Sequence, residues 1–80
     1  MNETISSNAI IYAILALNSE IELQKEYIDS PELPVEDKEN EEEILGDMEQ
    51  AFMEFLSLYK ARGKKDKTLP SIDELLTSKL

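Results

Sequence analysis

The sequence contains no cysteine, no histidine and no tryptophan. Without cysteine or histidine there are no disulfides, no thiol nucleophile, no imidazole acid or base, and none of the usual zinc or triad constellations. Glycine is scarce, with two isolated positions at Gly46 and Gly63, so no Gly-rich phosphate cradle can form. Positive charge is also short, since eight Lys and Arg face eighteen Asp and Glu for a formal charge of −10. A molecule of that sign is repelled by phosphate backbones and anionic bilayers, which disfavours direct nucleic-acid binding and membrane association. Long apolar runs are missing too. The best one, Ala9 to Leu17, covers nine residues, against about 20 for a membrane span, and Glu3 stands where a secretory signal needs positive charge. These absences point to a cytoplasmic location.

What the 80 residues do contain is one small domain's worth of helical periodicity. Ile10, Ile14, Leu17, Ile21 and Ile28 recur at steps of four and three, with a polar break at Gln24, and define a first helix over about 7–29. Ala13, Ala16, Leu23 and Tyr27 widen its apolar face, and Ile11 and Leu15 broaden it further. Pro31 and Pro34 lack backbone donors and bias their predecessors away from helix, which places the connection between them.

A second helix is expected over about 35–62. Leu45, Met48, Phe52, Phe55 and Tyr59 form its main stripe, and Ile44, Ala51 and Leu58 lie beside it. Gly63 is the expected left-handed stop. Gly46, inside the helix, is either tolerated on the surface or marks a close crossing. Ser71 and Glu74 have capping-box spacing and open a short third helix over about 71–79, with Ile72, Leu75, Leu76 and Leu80 as its apolar edge. Ten residues are too few to be helical alone, so this segment must fold back or dock on a partner. The expected fold class is all-α: an antiparallel helical hairpin plus a short C-terminal helix, with charged turn 63–70 before it. Two copies can complete a four-helix bundle.

Charge is polarised along the chain. Residues 31–49 hold nine acids and one lysine, whereas residues 60–67 hold five bases and one acid. This order complements the macrodipole of the second helix. In an antiparallel hairpin it also sets Glu20, Glu22, Glu26 and Asp29 beside the start of the second helix, making one tip strongly negative. Glu36, Asp37, Glu39, Glu41, Glu42 and Glu43 are the candidate partner-binding residues of that tip. Two copies packed antiparallel would set acidic against basic ends and make the pairing salt-sensitive.

Carboxylate pairs such as Glu39 with Glu43, or Glu43 with Asp47, could share a helix face, but there is no calcium-loop pattern to hold a cation. Glu20, Glu22 and Glu49 offer acid pairs without a desolvating cleft. No metal, no cofactor and no catalytic residue is therefore expected. The basic run Lys60 to Lys67 is interrupted by Asp66 and lacks aromatics, so helix capping accounts for it better than phosphate binding does. The chemistry left is association through apolar faces, for which Ile14, Leu17, Ile21, Phe52, Met53 and Phe55 are the candidates. Asn18 would set register if buried at such an interface. The sequence thus reads as a small acidic, non-enzymatic protein–protein interaction module, pairing with itself or with another protein. An inhibitor that mimics nucleic acid, offering its acidic tip to a basic DNA- or RNA-binding protein, is the alternative.

Overall fold

The computed structural model describes residues 5–77. Within them the chain forms three helices, α1 (Ser7–Asp29), α2 (Val35–Lys65) and α3 (Ile72–Thr77), and no strand. Leu80, expected on the apolar edge of the third helix, lies outside the described residues. None of the described helices is long and apolar enough to cross a membrane.

Local chemistry sets each helix end. Ser6 caps α1, its hydroxyl accepting from the Ala9 N–H at 3.0 Å. The chain leaves α1 at Ser30, whose N–H donates to the Tyr27 carbonyl at 3.1 Å and whose hydroxyl accepts from the Glu32 N–H at 3.2 Å. Pro34 then stands at the N-cap of α2 in extended conformation and provides no side-chain cap. Glu36 and Asp37 occupy the first turn of α2 and Arg62, Lys64 and Lys65 the last, so charge complements both dipole ends. The capping box of α3 is formed in full: the Glu74 N–H donates to the Ser71 hydroxyl at 3.1 Å, and the Ser71 N–H donates to the Glu74 carboxylate at 2.9 Å.

One boundary differs from the sequence expectation. Gly63 does not stop α2, which runs on to Lys65, and no glycine has a positive φ. The stop is set instead by Asp66. Its side chain accepts from the Thr68 N–H at 3.0 Å, an Asx-turn that offers the backbone an alternative to helix, and the Asp66 N–H closes the last turn on the Arg62 carbonyl at 2.9 Å. Gly46 is exposed with nothing within 4 Å of the position its Cβ would take, so it is tolerated on the surface and marks no crossing.

α1 and α2 pack as an antiparallel hairpin, and α3 folds back across the end formed by the start of α1 and the end of α2. There Ile10, Ile14, Tyr59 and Leu75 form the core, surrounded by half-buried Ile11, Phe52, Phe55, Leu56, Leu69, Ile72 and Leu76. Among the described residues, only Ile10 and Ile14 are fully enclosed. The molecule is a slab, 46 × 31 × 15 Å, with a radius of gyration of 15.3 Å, compared with about 12 Å for a compact globule of this length. A chain this flat covers little of its own surface.

Candidate functional site

Among the described residues, no three carboxylates converge closely enough to hold a metal ion. Among the described residues the buried side chains are aliphatic apart from Tyr59, and no buried side-chain nitrogen or oxygen lacks a hydrogen-bond partner. The functional surface therefore has to be sought in exposed charge and exposed apolar area.

The acidic tip is present with one member reassigned. Glu36, Asp37, Glu39, Glu42 and Glu43 stand exposed on the first turns of α2. Glu41 turns into the hairpin. Its carboxylate accepts from the Gln24 amide at 2.8 Å, and its backbone carbonyl accepts from the same nitrogen at 3.0 Å. The reason is helical phase, since position 41 lies five turns before Tyr59 on the stripe that faces α1. Gln24, the polar break in the first stripe, is thus a cross-helix clamp.

At the opposite end Arg62 performs a similar task. One guanidinium nitrogen donates to the Ser7 hydroxyl at 3.1 Å and the other to the Ile5 carbonyl, tying α2 to the segment that leads into α1. Nearby, the Tyr59 hydroxyl donates to the Pro70 carbonyl at 2.6 Å and fastens the turn before α3. Burial, followed by the Glu74 and Asp66 carboxylates, raises the Tyr59 hydroxyl above its ordinary value of 10.0. Asp66 shifts the other way, below 3.8, held there by the Thr68 hydroxyl and N–H.

The residues expected to mediate self-association are divided by the structure. Ile14 and Ile21 are buried within this chain's own hairpin and present no free surface for a second chain. They point inward because their stripe is the one α2 covers. Leu17, Phe52 and Phe55 are half-buried, and Met53 is exposed. Asn18 is half-buried beside Ile21, Phe52 and Met53, where the two helices leave a shallow groove of about 370 Å³. A larger cleft of about 600 Å³ separates α1 from α3 and is lined by Ile11, Tyr12, Leu15, Pro70 and Leu75 among others.

A third apolar surface is formed by the residues beside the main stripe of α2, Ile44, Ala51 and Leu58. Lys60 and Gly63 lie on the side of α2 that meets the α3 turn, in a depression shared with Leu69, Pro70 and Ile72. Leu58, Arg62 and Lys65 line a separate depression on the other flank, away from α3. Along that flank Ile44 is 40% exposed, Ala51 is half-buried and Leu58 is 37% exposed. Their spacing of seven residues was the available signal. By helical phase, Leu17 and Ala13 of α1 border the same side.

No protein-family model matches the chain, and no curated protein or solved structure matches it either.

Proposed function

We propose that the chain is a small acidic, non-enzymatic protein–protein interaction module that self-associates, working in the cytoplasm. The observation that carries this reading is the flank of α2 that no other described element covers, where Ile44, Ala51 and Leu58 line one side of a slab 15 Å thick. A helical hairpin has two broad sides. α3 covers part of one, and the flank lies toward the other, so a second copy laid against it would add the layer that a four-helix arrangement requires. Sedimentation equilibrium over a concentration series tests this. A mass that rises from monomer to dimer is expected, with Leu58→Glu remaining monomeric at unchanged helical circular dichroism. A monomer at every concentration would overturn the reading.

The five exposed acids of the tip favour a second reading, the nucleic-acid mimic. It requires salt-dependent binding to a basic nucleic-acid-binding protein, lost when the exposed Glu39, Glu42 and Glu43 are changed to Gln. Binding that survives those changes would end it.

A further inference from the structure

We infer that the second copy lies antiparallel along α2, with the twofold axis passing beside Ala51. This rests on the self-association proposed above and adds its geometry. In a twofold interface residue i of one chain meets j of the other and j meets i. An antiparallel helix pair therefore needs a stripe that complements its own reversal.

The outer flank of α2 carries such a stripe. Asp37, Ile44, Ala51, Leu58 and Lys65 follow one another at intervals of seven residues, all exposed except half-buried Ala51. Reversal about Ala51 sets Asp37 against the partner's Lys65 and Ile44 against the partner's Leu58. The small residue falls at the centre, where two helix backbones approach most closely. A parallel pair in register would instead set Asp37 on Asp37 and Lys65 on Lys65, like charge at both ends.

Helix geometry fits the same arrangement. A seven-residue step falls about 20° short of two full turns, and a left-handed crossing of about 20° takes up that drift. The row four residues further on turns inward at Glu41 and Phe55: Glu41 bonds to Gln24 and Phe55 packs on the core, while Arg62, five turns after Ile44, borders the flank beside Leu58 and reaches back to Ser7. α2 thus presents two adjacent seams, one filled by α1 and one that no other described element fills, as each helix of a four-helix bundle does. Two exposed acids, Asp47 and Glu54, border Ala51 on this flank, and Glu54 accepts from the Gln50 amide at 3.1 Å. The apolar contacts supply affinity, and the Asp37–Lys65 pairs, exposed and individually weak, supply orientation.

Because the chain has no cysteine of its own, single introduced thiols report the register directly. Ala51→Cys, oxidised in a glutathione disulfide buffer, is expected to give a covalent dimer. Ile44→Cys alone is expected to give none, because the two thiols would lie fourteen residues apart along the axis, about 21 Å, beyond the roughly 7 Å Cα limit of a disulfide. Mixing Ile44→Cys with Leu58→Cys chains should restore cross-linking between them. Each variant is first checked for native helicity and for the mass of the unsubstituted chain. A dimer that cross-links through Ile44→Cys alone, or that fails to cross-link through Ala51→Cys, overturns the antiparallel register and leaves self-association standing. A monomeric mass for the unsubstituted chain overturns both.

Discussion

At the end of the hairpin where α3 folds back, three helices share one apolar centre, whereas at the loop end two helices and the connection Ser30–Pro34 do the work alone. Ile10 and Ile14 at the first end are 0% exposed, while the best-buried residues toward the second, Ile21, Ile28 and Leu33, retain 6–9%. Among the described residues the α3 end has two polar fasteners, Tyr59 to Pro70 and Arg62 to Ile5 and Ser7. The loop end has one, Gln24 to Glu41, and it gathers most of the acids. Fewer shared contacts and crowded like charge both lower the cost of local opening. The acidic tip is therefore the labile end, and the stability of the molecule resides where the sequence is basic.

The largest effect that can break this comparison comes from truncating buried isoleucines. Ile10→Ala is expected to cost about 3–5 kcal/mol, because three elements surround the cavity and cannot all collapse into it, while Ile28→Ala stays nearer 2 kcal/mol. Urea unfolding followed by circular dichroism reads both. Equal losses would mean that the two ends are equally packed. Next in size is Leu75→Ala, at about 2 kcal/mol, since Leu75 is the buried side chain through which α3 joins the centre. A neutral result there would mean that α3 rests on the hairpin without stabilising it.

A smaller effect isolates one polar fastener. Tyr59→Phe keeps the ring and removes the hydroxyl that donates to Pro70, at a cost of about 1 kcal/mol. The same group makes stability depend on alkaline pH. Its folded-state value is raised above 10.0, so its contribution is whole below pH 10 and declines as pH climbs from there through the raised value. The Phe variant should lack that decline. An identical alkaline profile in both proteins would show that the hydroxyl titrates alike in the folded and unfolded chains.

The features legible in the sequence were the local ones. Isoleucines spaced by three and four in α1, the Leu45, Met48, Phe52, Phe55 and Tyr59 stripe in α2, two prolines in four residues, and a serine three residues before a glutamate are all local patterns, and the three helices follow from them. Gly63 misled because glycine permits a left-handed stop without requiring one. The real signal, Asp66 followed by Thr68 and Pro70, was equally local and was present in the chain. The main stripes were legible as the covered rows, with Ile14 and Ile21 on α1 and Tyr59 on α2. What was not legible is that Ile14 and Ile21 are taken up within a single chain, because that depends on how two distant helices and α3 come together. The Gln24–Glu41 clamp, spanning seventeen residues, is hidden for the same reason.

The smallest expected effect runs in the opposite direction and tests both ends with the same chemistry. Gly46 lies in the part of α2 nearer the loop and Gly63 beside the α3 turn, and neither position has an atom within 4 Å of a Cβ added there. Both have helical backbone without positive φ. Alanine at either site therefore meets no steric penalty and reduces the freedom of the unfolded chain, a gain of about 0.5–1 kcal/mol at each. If Gly63 were a left-handed cap, Gly63→Ala would destabilise instead, so the sign alone separates the two accounts of how α2 ends. Amide hydrogen exchange separates the ends themselves. Both variants should raise protection around Ile10, Ile14 and Tyr59, where opening requires the whole fold to come apart, whereas Gly46→Ala alone should also slow exchange in residues that open locally near the acidic tip.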